Sequence, residues 1–377
     1  MTTIVADQAV RPSRIEMPQR DLDDLRSRLE RTRWSHDVTG SGSDYGVPVA
    51  YLRRLVDYWI DGYDWRTWEA RLNAYAPHET VIDGQRIHFL HVRSPEAGAL
   101  PLILTHGWPG SIVEFFDVIG PLTDPASHGR DPADAFHVVI PSLPGYGFSG
   151  PTRARGWDNL RIARAWAELM PRLGYNRYGA VGNDAGSMIS PELGRIDAEH
   201  VVGVHVTQLF SFPSGDPAEM QNLSTEEQSQ LGVLQWFYEN KFSFNVLMAQ
   251  QPQTIGYALD DSPVGLLAWL AQLLGEELDP DFVLANVMTY WLTRTGSSSA
   301  RLYYENAHTH RTTKPTTLPT GLAGFGGDFF GVRRFAERDH KNIVRWKTFD
   351  HGGHFAAHKV PDLYVSEVQA FYREIGR

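Results

Sequence analysis

Residues 182–186 read Gly-Asn-Asp-Ala-Gly and follow the apolar run RYGAV at 177–181. A glycine on either side of a central residue permits a strand-to-helix turn too sharp for flanking side chains. Such a turn lifts its middle residue, Asp184, to the top of a sheet beside a helix N-terminus, the G-x-nucleophile-x-G form. A strand-turn-helix of this kind commits the chain to alternating strands and helices. The plainer reading of the same five residues is a Gly-rich turn whose Asp caps a helix.

The rest of the chain agrees with an α/β class. Short apolar or alternating runs mark strands: RIHFLHV (86–92), LILT (102–105), FHVVI (136–140), VVGVHV (201–206), TTLPTGLA (316–323) and IVRWKTF (343–349). Helical periodicity lies between several of them, as in 158–173, where Ile162, Trp166, Leu169 and Leu173 share a face. This predicts a mainly parallel central sheet flanked by helices. Between 208 and 305 the strand signals stop and helical, aromatic-rich segments take over, which predicts a helical lid over the C-terminal edge of the sheet. The core is then 86–207 with 306–377. Residues 1–85 differ again. DLDDLRSRLERTRW places Leu22, Leu25 and Leu29 on one helical face, with Asp21 or Asp23 as the cap, and a second helix follows Pro48. Trp34, Trp59, Trp65 and Trp68 make this a helical extension packed on the core rather than a free tail.

Composition narrows the function. In 377 residues there are 45 acidic and 35 basic side chains, a formal charge of −10, which argues against a nucleic-acid surface. No cysteine is present, so thiolate nucleophiles and Cys-ligated metals are excluded. No apolar run is long enough to span a membrane, and the N-terminus lacks a signal-peptide pattern. A cytoplasmic protein is expected.

Two further motifs bear on Asp184. HGWPGS (106–111) follows the strand LILT, where this architecture supplies one N–H of an oxyanion hole, the other coming from the residue after the nucleophile. That points to the amides of Trp108 and Ala185, with His106 structural. HGGHFAAHK (351–359) follows the last strand and offers His354 as base, with His351 as competitor. A metal reading of His351, His354 and His358 has no carboxylate motif to support it. The acid belongs on the loop after TTLPTGLA, where GFGGDFFG supplies Asp328. The other position such folds use, after the preceding strand, holds Thr207 and Gln208, neither of which ionises.

With these residues in hand, the chain resembles the microsomal-type epoxide hydrolases of the α/β-hydrolase fold. The likeness covers nearly the whole length, through EMPQRDLDDLRSRLERTRW, GSDYGVPVAYLRRLVDYWIDGYDW, HGWPGS, PSLPGYGFS, DDSPVGLLAW, SSARLYYEN and GGHFAA. It implies Asp184 as nucleophile, His354 as base, Asp328 as acid, and lid tyrosines that grip the epoxide oxygen. In SSARLYYEN, Tyr303 matches the family tyrosine and Tyr304 is its neighbour. The second lid tyrosine of the family falls on Phe244, so either one phenol suffices or another hydroxyl, Tyr238 or Tyr146, substitutes. Ala185 stands where the family commonly has Trp, which enlarges the pocket. The membrane anchor of animal members is missing here.

The resemblance implies conversion of an epoxide to a vicinal diol, with water as co-substrate and without metal or organic cofactor. Trp236, Phe237, Phe242, Phe244, Trp269 and Trp291 are expected to wall an apolar pocket for a bulky, apolar or aromatic epoxide. The aromatic N-terminal segment also offers a homodimer surface. Rival readings are a haloalkane dehalogenase sharing the Asp nucleophile, an epoxide-opening cyclase, or a non-catalytic binder. A serine esterase is disfavoured, because Ser187 lies beyond the second glycine of the turn.

Overall fold

The computed structural model describes residues 9–309 and 314–376. The apolar runs lie side by side in one nine-stranded sheet: β1 (Arg11–Pro12), β2 (Pro77–Ile82), β3 (Gln85–Val92), β4 (Leu100–Thr105), β5 (Phe136–Pro141), β6 (Tyr178–Gly182), β7 (Val201–Val206), β8 (Thr320–Gly326) and β9 (Ile343–Gly352). Their spatial order is β1-β2-β3-β5-β4-β6-β7-β8-β9. β1, β2, β3 and β5 pair antiparallel in succession, and every pairing from β5 through β4 to β9 is parallel. Consecutive residues of a strand point to opposite faces, yet Leu102, Ile103 and Leu104 are all fully buried, so β4 is covered on both sides. Helices Asn159–Arg172 and Ala185–Ile196 pack on each other, as do Phe116–Thr123 and Pro361–Glu374.

The winding direction reverses between β4 and β6. From β4 the chain passes to β5 on one side, whereas β6 pairs with β4 on the other, Leu102 beside Gly179 and Thr105 beside Gly182. Such a switch point leaves a crevice outside the C-terminal strand ends. HGWPGS leaves β4 and the Asp184 turn leaves β6, so both open into that crevice.

Seven helices lie between Thr225 and Ala307, linking β7 to β8. The N-terminal helices Gln19–Glu30, Val49–Asp61 and Trp65–Ala74 dock on this block. The Tyr51 hydroxyl donates to the Gly275 carbonyl (2.8 Å), and the buried Trp59 indole N–H meets Met288 Sδ at 3.2 Å. Trp59→Ala removes a large buried ring with little room for collapse, and is expected to lower stability by about 3–5 kcal/mol. A denaturant midpoint unchanged in the variant would show the extension to be dispensable to the folded body.

Three details differ from the sequence reading. The boundary at 85/86 falls inside a hairpin, because β2 pairs with β3 through the turn Asp83-Gly84, both at positive φ. Polar PHETVI carries a weak strand signal, and partner strand β3 decides its state. The first helix starts at Gln19 with Pro18 as N-cap, so Asp21 sits in its first turn and neither it nor Asp23 is the cap. β8 begins at Thr320, later than expected: Pro315 and Pro319 lack the N–H a ladder needs, and Thr316 makes only an isolated bridge to His340.

Candidate active site

Only Asn183 and Asp184 separate β6 from the helix Ala185–Ile196. A side chain at Gly182 would collide with the Gly186 carbonyl, and one at Gly186 with the Thr105 carbonyl, so the turn admits glycine alone at both places. Asp184 is forced to φ 52° and ψ −117°, a costly conformation for a residue with a Cβ. Its side chain makes no helix-capping bond, which disposes of the plainer reading of the turn.

The carboxylate is instead held by the loop after β4 and the first N–H of the helix. Asp184 Oδ1 accepts the Trp108 N–H at 2.9 Å, and the Ala185 N–H also bonds the carboxylate. Oδ2 lies 3.9 Å from His354 Nε2. On the far side of that ring, His354 Nδ1 meets Asp328 Oδ2 at 2.9 Å. The structure thus brings together Asp184, Trp108, Ala185, His354 and Asp328 from four separate stretches of chain.

Burial raises the Asp184 carboxyl above its ordinary range, although His354 and the two N–H groups pull the other way. Burial likewise opposes ionisation of Asp328, but the His354 ring and the bonds from Gln208 and the Phe329 N–H prevail, and its pKa is lowered. Burial would lower His354; Asp328 and then Asp184 outweigh it and raise the imidazole to about 9. Both carboxyl groups thus favour the protonated form of the imidazole between them.

Above Asp184 sits an aromatic wall. The Trp108 ring stacks on Phe244 with centroids 5.0 Å apart, and Tyr303 meets both edge-on at 6.0 and 5.8 Å. Burial holds the Tyr303 phenol well above its ordinary pKa, and the Asp184 charge adds to this, so it carries its proton. Phe237 and Phe242 pack edge-on against Phe244.

Other candidates lie elsewhere. Trp236 is 54% exposed on the outer side of its helix and does not reach the site. Tyr304 stacks on His308 at 4.0 Å, away from the Trp108–Phe244–Tyr303 group. Tyr238 is 51% exposed and covers Phe242, so it is no replacement phenol. Tyr146, by contrast, stays close to the site: it is buried beside His106 and Tyr290 with no protein partner for its hydroxyl, and the Asp184 charge adds to burial in raising its phenol. His106 accepts the Leu143 N–H through Nε2 and is held near 4 by burial, a structural neutral imidazole. His351 is exposed and bonds Asp350, while His358 bonds Asp117 and stacks on Phe282, so the three histidines do not converge. Ser187 is buried, its hydroxyl engaged by the Gly182 carbonyl and Gln208.

Two residues escaped the sequence reading. Gln208, set aside because it does not ionise, ties the site together. Its Oε1 accepts the Asp184 N–H (2.9 Å) and its Nε2 donates to Asp328 Oδ2 (2.7 Å). The signal for it was its position after β7, where related folds place an acid. Glu114, buried next to HGWPGS, accepts from Asn183 Nδ2 at 2.6 Å; no motif logic singled it out.

Comparison with known proteins agrees with this geometry. Residues 10–115 match the family described as Epoxide hydrolase N terminus, and residues 102–367 match the Alpha/beta hydrolase family. A relative from Stigmatella aurantiaca (strain DW4/3-1) is 42% identical, covering 97% of this chain and 85% of that one. Epoxide hydrolase 1 of Sus scrofa is 31% identical, covering 97% and 89%. Among solved structures, juvenile hormone epoxide hydrolase of the silkworm Bombyx mori superposes with TM-score 0.89 at 26% identity, covering 98% and 96%. Aspergillus niger epoxide hydrolase gives 0.86 at 28%, covering 98% and 97%. Among the described residues no helix is long and apolar enough to cross a membrane. A carboxylate on a strained turn, an imidazole–carboxylate pair behind it and relatives matched over nearly their full length place the chain in the epoxide hydrolase family of the α/β-hydrolase fold.

Proposed function

We propose that this chain converts an epoxide to a vicinal diol through an alkyl ester on Asp184. The observation that carries it is the Asp184 carboxylate itself, with Oδ1 fixed by main-chain N–H and Oδ2 beside His354 and free to attack. Oδ2 bonds to an epoxide carbon from behind, and that carbon's ring C–O bond breaks. The leaving oxygen stays attached through the neighbouring carbon and takes the proton of Tyr303. Tyr303 acts from the wall facing the carboxylate.

The ester then meets water. Once Asp184 is esterified, a negative charge near Nε2 is gone, so the His354 pKa falls; the ring gives up its proton, the Tyr303 phenolate takes one up, and the imidazole becomes a base. It takes one proton from water as the water oxygen bonds to Asp184 Cγ. The Trp108 and Ala185 N–H groups hold the resulting oxyanion on Oδ1. Collapse breaks the bond to the substrate oxygen, which leaves as the diol with a proton from His354, and the water proton left on the Asp184 carboxyl passes to His354, which restores the carboxylate and the protonated ring. Asp328 keeps the imidazole turned throughout.

The helices between Thr225 and Ala307 act as the lid in this reading, and Tyr303 is its only phenol at the reacting oxygen. The aromatic wall and the small Ala185 support a bulky, apolar or aromatic epoxide. Single turnover of styrene oxide in heavy-oxygen water tests the route. The label is expected in Asp184, with the first diol carrying ordinary oxygen. Label in the first diol and none in the enzyme would mean direct attack by water.

A further inference from the structure

Glu114 lies in the short turn Ile112–Phe115 that follows HGWPGS, and is 1% exposed. Its Oε1 accepts from Asn183 Nδ2, and the same Nδ2 donates to the His354 carbonyl at 3.0 Å. Asn183 Oδ1 in turn accepts from Thr207 Oγ1 (2.6 Å) and Gln208 Nε2 (3.0 Å). Glu114 thus sits at the root of a buried network that reaches the turn of Asp184, the loop of His354 and, through Gln208, Asp328. Its second oxygen, Oε2, is buried without a protein partner, close to Gly110. Among the described residues, no ion pair includes it. The titratable groups facing it are Asp184 from the turn, His354 from the last loop, Tyr290 from helix Pro280–Thr293 and Tyr364 from helix Pro361–Glu374.

We propose that Glu114 is a positioning residue for ester hydrolysis: a neutral acid that anchors Asn183, and through it the main chain of His354, without holding the imidazole as a cation. A carboxylate with one oxygen unbonded in a dry interior loses hydration that nothing replaces, so the acid form is favoured. Burial pushes this carboxyl up to about 8, against the pull of His354 and the Asn183 N–H. An ionised Glu114 would raise His354, as Asp184 does in the resting site. With Asp184 esterified and Glu114 neutral, Asp328 is the one anion left on the ring, and deprotonation becomes easy. An ionised Glu114 would instead keep the ring protonated to higher pH and move the acid limb of ester hydrolysis upward.

The proposal rests on the Asp184 ester. Rapid-quench mass spectrometry of the full chain with styrene oxide reads formation and hydrolysis of that ester separately. Glu114→Gln, a neutral isostere, is expected to keep both rates within about threefold at about pH 7. Because Glu114 is neutral where His354 titrates, the acid limb of ester hydrolysis should lie at the same pH in the wild type and in Glu114→Gln, within about half a pH unit. Glu114→Leu, which cuts the anchor, should slow hydrolysis about 30-fold with ester formation within about threefold. A Gln variant as slow as Leu at neutral pH, or one whose acid limb moves down by more than about half a pH unit, overturns the proposal. So does a folded Leu variant with hydrolysis unchanged. Should the Leu variant fail to fold, the acid limb of the Gln variant decides alone. If His354→Gln accumulates no ester on Asp184, the covalent route itself falls, and the role of Glu114 with it.

Discussion

Asp184→Asn is expected to abolish turnover, by about 10⁴-fold or more in kcat, because an amide oxygen cannot displace an unactivated epoxide C–O bond. The loss should come without damage to the fold. The Trp108 N–H still finds an oxygen at Oδ1, and the backbone tie to Gln208 is unchanged. Stability should in fact rise. An acid whose folded pKa lies above its unfolded value binds its proton more tightly when folded, so it favours the fold at low pH. It disfavours the fold once pH exceeds the folded value. Asp184 is raised in this way by burial, so the wild type carries that cost at neutral pH and the neutral Asn does not. Two measurements check this: steady-state diol formation and the denaturant midpoint of both proteins. Substantial activity in the Asn protein would remove the carboxylate from the chemistry.

His354→Gln is the second large effect. The first step needs no base, since Asp184 attacks as it stands. The second has only His354 to activate water, as no other described imidazole lies against both the Asp328 and Asp184 carboxylates. The variant should therefore release about one equivalent of opened epoxide bound to protein and then stall, with turnover lowered by about 10³-fold. Intact mass should show the adduct, and proteolysis should locate it on the peptide carrying Asp184. An inactive variant with no adduct would place His354 in the first step or in the architecture. The wild-type pH profile gives an independent check. His354 stands near 9 in the free protein, where burial is outweighed by Asp328 and Asp184, and drops when Asp184 is esterified. Ester hydrolysis should thus gain its basic form well below about pH 9.

Much of this site could be read from the chain alone. The elbow announces itself because sterics allow only glycine at 182 and 186. HGWPGS and HGGH announce themselves because each follows an apolar run that must end at the same edge. Asp328 follows by order, being the carboxylate on the loop between the strand that becomes β8 and His354. What escaped is of two kinds. Gln208 and Glu114 act through hydrogen bonds across the sheet, between residues far apart in sequence and with no periodicity to reveal them. Trp236 and Tyr238 were misplaced for a different reason: a helix rich in aromatics all round does not declare which side faces inward, and these two turn to solvent while Phe237 turns to Phe244. β2 shows the same limit, since a polar strand takes its state from its neighbour.

Gln208 has one more implication. A third carboxylate in its place would have competed with Asp328 for a single imidazole, dividing one proton among three anions. The amide links backbone N–H and acid while contributing no charge and having no titration of its own. The coupling between the two halves of the machinery is therefore indifferent to acidity, and whatever pH sensitivity the turnover displays must originate in groups other than the clasp that joins them.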